Sequence, residues 1–171
     1  MAAHDKVSTL DIEASGLGRH SYPIEVGYVR ADGSAYCTLI RPATDWEHWD
    51  PSAEQLHGIT RDTLVRHGRA AGVVARQLND ALAGSTVYCD AWAHDFPWLA
   101  RLYDEAGLSP TFRLESAARL LDDAGLQALP HLQRQALTAM GLARHRASND
   151  ARALQQALWS LARGLPLHAG G

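Results

Sequence analysis

The feature that most limits the fold is a change of rhythm near residue 50. Before it, residues 7–13, 24–30 and 35–40 read as strands in quick succession. Asp32-Gly33, between the second and third, tolerates the positive φ that a tight hairpin turn requires. Arg41-Pro42 then leaves the sheet, because proline cannot donate to a strand ladder. After that point helices alternate with single strands. Residues 51–57 begin with proline at a helix N-terminus, and 73–82 carry apolar residues at helical spacing up to Gly84. Residues 86–89 read as a short buried strand, 95–105 as a helix closed by Gly107, and 111–114 as a fifth strand. Segments 116–122, 129–140 and 148–161 read as helices. A meander followed by this alternation predicts an α/β fold with one mixed five-stranded sheet and helices on both faces.

Length and charge narrow the function. A chain of 171 residues is expected to form one domain, with its core at about 6–163 and a frayed tail over 164–171. With 46% hydrophobic and 20% charged residues, a disordered or fibrous chain is excluded. No stretch nears the ~20 apolar residues of a membrane span, so no membrane partner is expected. Residues 1–6 have no apolar core, which argues against a secretory signal. Cys37 and Cys89 form neither a disulfide framework nor a metal pattern. A cytoplasmic setting with both thiols buried is the expectation. The net charge of −3 excludes a protein held to duplex by a broad basic surface. Fifteen of the 16 basic residues are arginine, which reads as genome composition before it reads as a phosphate surface.

Three places could carry chemistry. Asp11 and Glu13 lie two apart on the first strand and so share one face. Like charges that close repel, and a divalent cation would remove the conflict; a solvated strand end is the plain alternative. Asp95 stands where a strand passes into a helix, as an N-cap with Pro97 just inside the first turn, or as a third carboxylate beside the first strand. Asp150 falls in the first turn of the last helix, with Ser148 or Asn149 as cap, where the helix dipole alone favours an acid. His145 precedes it in a loop, and its side chain has the pKa range for proton transfer near neutrality. Trp46, Trp49, Trp92, Phe96 and Trp98 flank these segments. Core packing suits Trp98; exposed base stacking and loop anchoring are equally open to Trp46 and Trp49.

The order of these signals says more than any one of them. Asp-x-Glu, a mid-chain Asp and a final His-x4-Asp resemble the DEDDh exonucleases, the DnaQ-like branch of the ribonuclease H-like superfamily. Asp11-Ile-Glu-Ala-Ser-Gly-Leu17 is similar to the family's Asp-x-Glu-Thr-Thr-Gly-Leu. Pro23-Ile-Glu-Val-Gly27, Leu56-His-Gly-Ile-Thr60 and His145-Arg-Ala-Ser-Asn-Asp-Ala151 resemble three further segments of it. The likeness runs from about residue 7 to 161.

The resemblance implies two Mg²⁺ or Mn²⁺ ions held by Asp11, Glu13, Asp95 and Asp150. It implies His145 as general base, and release of nucleoside 5′-monophosphates from 3′ ends of single-stranded DNA or RNA. It further implies that Ala14, Ser15, Gly16 and Leu17 hold the terminal nucleotide, with His57 beside it and Trp92 and His94 shaping the base pocket. Ala14 and Ser15 replace the family's two threonines. His94 replaces an aromatic residue, and Ala91 an asparagine. These departures leave the metal ligands intact and bear on the substrate. A phosphodiesterase for dinucleotides and a binding module with a decayed site are the rival readings. Helix 129–140 has apolar surface that could support a homodimer or pack within the chain.

Overall fold

The computed structural model describes residues 6–164, so most of the expected tail lies outside the described residues. Strands β1 (Ser8–Ala14), β2 (Pro23–Val29) and β3 (Ala35–Leu39) form the meander. Between β2 and β3 the Arg30 N–H donates to the Ser34 carbonyl at 2.8 Å, and Gly33 takes φ 85°. Helices α1 (Pro51–His57), α2 (Arg61–His67) and α3 (Ala71–Leu82) lead to β4 (Thr86–Cys89). Then come α4 (Trp92–Ala106), β5 (Arg113–Ser116), a 3-10 turn (Ala117–Leu120), α5 (Asp123–Met140) and α6 (Ala147–Arg163). The five strands form one mixed sheet in the order β3-β2-β1-β4-β5, with β4 parallel to both its neighbours. This is the expected α/β architecture.

The two faces of the sheet bury different clusters. Leu10 and Ile12 of β1 join Ile24, Val26 and the apolar sides of α3 and α4. Burying one such side chain contributes about 1.5–3 kcal/mol. Thr9, Asp11 and Glu13 of β1 face α6 instead, where the Thr9 hydroxyl donates to the Ala151 carbonyl at 2.7 Å. Over this face Leu154 and Leu158 of α6 pack with Leu129 of α5. Helix α5 therefore spends its apolar side on α6, and Leu137 with Ala153 extends the seam. Among the described residues no helix is long and apolar enough to cross a membrane.

Several boundaries move for local reasons. Helix α2 was not expected; the Thr60 hydroxyl accepts the Thr63 N–H at 3.1 Å and starts it. Helix α5 begins at residue 123 rather than 129, because the Asp122 carboxylate accepts the Gly125 N–H at 2.8 Å. Helix α4 begins at 92 rather than 95, and the fifth strand at 113 rather than 111. The helix expected over 116–122 shortens to the 3-10 turn. Trp46 is buried and stacks on Tyr22 with ring centroids 5.2 Å apart, so it is a core residue and no stacking surface. Trp98 packs against the same core, as expected. Cys89 is buried, but Cys37 is only half-buried; both thiols are free.

Candidate active site

The ladder between β1 and β4 covers only Ser8–Val87 and Thr9–Tyr88. Beyond it the strands part, and Asp11 and Glu13 sit side by side on the α6 face, as period two requires. Opposite them on β2 lie Gly27 and Glu25. A Cβ on Gly27 would fall 2.3 Å from the Ser148 nitrogen, which no real contact allows. The missing side chain lets the first turn of α6 settle on the sheet, and Asp150 arrives beside Glu13.

A buried ion pair fixes that arrival. Glu25 is 1% exposed within an otherwise apolar strand. Its carboxylate accepts from Arg146 Nε and Nη2, the latter at 2.8 Å, and from the Ala147 N–H at 2.8 Å. No side chain caps α6, contrary to the expectation for Ser148 or Asn149; Arg146 stands at that position. The neighbouring His145 takes φ 61°, and among the described residues no other non-glycine has positive φ. Left-handed backbone costs a residue with a Cβ roughly 1–2 kcal/mol. It aims the His145 N–H at Asp150 Oδ2, 2.7 Å away. A ring nitrogen of His145 and carboxylate oxygens of Glu13 and Asp150 lie within 4.8 Å of one another.

Asp95 is placed differently from the expectation. It lies one turn inside α4, whose N-cap is Ala91, and Pro97 follows in the second turn. Capping therefore does not account for it. It is 1% exposed, and its Oδ2 has no hydrogen-bond partner among the described residues. Buried carboxylate oxygens are almost always satisfied, so this one calls for a missing partner. Carboxylate oxygens of Asp11, Asp90 and Asp95 approach within 4.8 Å of one another. Asp90, one residue past β4, was missed by sequence reasoning, as were Glu25 and Arg146. An acid directly after an apolar strand was the available signal for Asp90, and a lone acid inside an apolar strand for Glu25.

The electrostatics agree with crowded acids. Burial pushes the Asp11 carboxyl well above the usual range, and Asp95, Glu13 and Asp90 push it further. Burial does the same to Asp95, helped by Asp90. Glu13 rises to about 7 through burial and then through Asp150 and Glu25. Asp150 is raised by burial against the opposing His145 N–H. Asp11, Glu13, Asp90, Asp150 and His145 line a pocket of about 210 Å³, walled on its far side by Gln133 and Arg134 of α5; buried Asp95 does not line it but meets Asp11 and Asp90. Oxygen-only donors, crowded carboxylates and an orphaned buried oxygen fit a hard divalent cation. Asp11, Glu13, Asp95 and Asp150 are thus able to hold one or more such ions.

The remaining candidates lie outside this pocket. Ala14 and Ser15 are buried. The Ser15 hydroxyl accepts the Tyr22 N–H and pairs with His48 Nδ1, both at 3.1 Å, so its side chain is already engaged. At Gly16 a Cβ would meet His48 at 2.6 Å. Leu17 stands at the loop tip, 69% exposed. His57 is buried; its Nδ1 accepts the Ile59 N–H at 3.0 Å, which puts the proton on Nε2, and Nε2 has no partner among the described residues. Burial lowers its pKa. Trp92 and Phe96 stack at 4.9 Å as an exposed pair, and His94 lies on Trp98 at 5.6 Å.

Solved structures share this arrangement of strands and helices. Exonuclease I from Methylocaldum szegediense matches with a TM-score of 0.68 at 16% identity, over 92% of this chain and 40% of its own. The chain has the ribonuclease H-like fold of exonuclease I. The zinc-bound complex of E. coli exonuclease I with single-stranded DNA gives 0.67 at 16% identity, over 92% of this chain and 41% of its own. The same enzyme with a dA16 oligonucleotide gives 0.66 at 16%, over 93% and 42%. The chain thus spans about two fifths of the length of these structures. No family model and no curated protein matches it by sequence.

Proposed function

We propose that the protein is a 3′–5′ exonuclease of the DEDDh type, dependent on two Mg²⁺ or Mn²⁺ ions and acting on single-stranded DNA or RNA. The observation that carries this reading is the convergence of Asp11, Glu13, Asp150 and His145 on one pocket, with buried Asp95 against Asp11. Exonuclease I bound to single-stranded DNA, with the same fold, supports it. Divalent ions bound by the four acids would supply charge neutralisation at the scissile phosphate and activation of water. His145 would take the proton of the attacking water on a ring nitrogen, and Asp150, bonded to its backbone N–H, holds that loop in position. General-base help of this kind contributes about 10²–10⁴-fold. Arg134 and Arg144, in the pocket wall, would meet phosphate oxygens. Exposed Leu17 would wedge against the terminal base, and backbone groups of Ala14, Ser15 and Gly16 would hold its sugar. His57 Nε2 would donate to the same nucleotide, and Trp92 and His94 would border its base.

Only these two cations line the pocket among the described residues, which favours short substrates and supports the dinucleotide phosphodiesterase as second reading. The free thiols Cys37 and Cys89 support a cytoplasmic setting. Residues 1–171 would form one exonuclease domain. A homodimer through α5 would have to use exposed Leu126 and Met140, because the rest of its apolar side packs on α6; light scattering tests it. The deciding experiment uses 5′-labelled single-stranded DNA and RNA of matched sequence, a ten-mer and a dinucleotide. A one-nucleotide ladder lost with EDTA and with Asp150→Ala is expected. Cleavage confined to the dinucleotide selects the second reading, and Mn²⁺ binding without turnover on either substrate selects the binding module.

A further inference from the structure

Asp90 has no role in the reading above, yet it sits among the residues that do. It follows the last residue of β4, where that strand parts from β1. One of its oxygens lies within 4.8 Å of oxygens from both Asp11 and Asp95. Glu13 and Asp150 fall instead in the group around His145. The geometry therefore gives the Asp11–Asp95 side a third donor that the four-acid pattern does not contain. The orphaned Oδ2 of buried Asp95 is independent of that proximity and marks the same place as short of a partner. Asp90 is also held in position. Its Oδ2 accepts from Gln133 Nε2 at 2.7 Å, across the pocket from α5, and its other oxygen takes no hydrogen bond among the described residues.

We propose that Asp90 is an additional ligand of the divalent cation held by Asp11 and Asp95, with Gln133 as the residue that orients it. The inference rests on the metal-dependent reading and adds to it a ligand on a strand end. Oxygen ligands from the middle of one strand, the end of another and one helix suit a hard cation that takes six or more donors. Gln133 then plays the part that outer partners of metal ligands play, fixing the ligand's rotamer.

Calorimetric titration of Mn²⁺ tests this without turnover. Asp90→Asn keeps the shape and can still meet Gln133, and Asp90 is exposed, so the fold does not depend on its charge. Mn²⁺ affinity should fall roughly 10–100-fold in Gln133→Leu, the cost of losing an outer partner, and at least as far in Asp90→Asn. In EDTA the Asp90→Asn protein should melt no lower than the parent, since a like charge has gone, while its gain on adding Mn²⁺ shrinks. Affinity within twofold of the parent in Asp90→Asn, with Asp11→Asn clearly impaired, overturns the role of Asp90 and leaves the exonuclease reading standing. Unchanged affinity in Asp11→Asn as well overturns both.

Discussion

Asp11, Asp90 and Asp95 are held by the middle of β1, the end of β4 and the first turn of α4, whereas Glu13, His145 and Asp150 meet through one short turn. The first group is fixed by the core beneath it: Asp95 rides on α4, whose Leu99 and Leu102 are buried under the sheet. The second depends on the Glu25–Arg146 pair and on a left-handed histidine. In the proposed reading the cation ligands draw on both groups, and the proton acceptor on the second alone. Cation binding and proton transfer should fail separately.

The largest effect should come from the first group. Asp95→Ala takes away a proposed cation ligand and should cost several kcal/mol of transition-state stabilisation, about 10³-fold or more in kcat. Mn²⁺ should then no longer raise the melting temperature. Activity retained in Asp95→Ala would break the division at its root.

Next is His145→Ala, for which we expect a loss of about 10²–10⁴-fold in kcat with Mn²⁺ affinity unchanged. His145→Gly should be equally inactive yet more stable than His145→Ala by about 1 kcal/mol, because glycine accepts φ 61° without strain. Paired melts of the two variants check the sign; a more stable alanine variant would remove strain from the account.

Arg146→Ala should destabilise by about 3 kcal/mol, since it strands a buried carboxylate. Glu25→Gln should cost less, because the arginine side chain it frees is 48% exposed and can return to water. Denaturant unfolding ranks the two. Equal costs would mean that the Ala147 N–H alone satisfies Glu25.

The smallest effect is one of pH. In the folded chain Glu13 keeps its proton up to about 7, whereas an unfolded chain releases it near 4.5. The folded state therefore binds more protons between these values. The stability from this group is fully present below about pH 4.5 and is lost as pH rises through 7. Melting temperatures in EDTA should fall from about pH 5 to 8, and less so in Glu13→Gln. Mn²⁺ should flatten the fall by favouring the ionised acids. A rise with pH in EDTA would contradict the crowding of these carboxylates.

What could be read from the sequence follows the range of the forces involved. The side-by-side placement of Asp11 and Glu13 needs only the two-residue period of a strand, and the turn at Asp32-Gly33 needs only two neighbours. Residues 86–89 were legible to the residue because an apolar run ends there in an acid. Asp150 was legible because a helix start draws acids whatever surrounds it. Asp95 was placed correctly in the chain but wrongly in its helix, since the reach of α4 back to Trp92 is not written in a capping residue. Trp46 looked like a surface residue because its polar neighbours said so; Tyr22, 24 positions away, decided otherwise. Asp90 and Glu25 are held in place by partners more than 40 residues off, Gln133 for one and Arg146 for the other.

Gly27 has no chemistry, yet it works as a spacer gauge for the site. The helix that carries Asp150 rests on it, so the distance between that acid and the strand acids is calibrated by an atom that is not there. Any larger residue would shim the helix outward, leaving all five candidate residues in place in the sequence and the pocket out of tolerance.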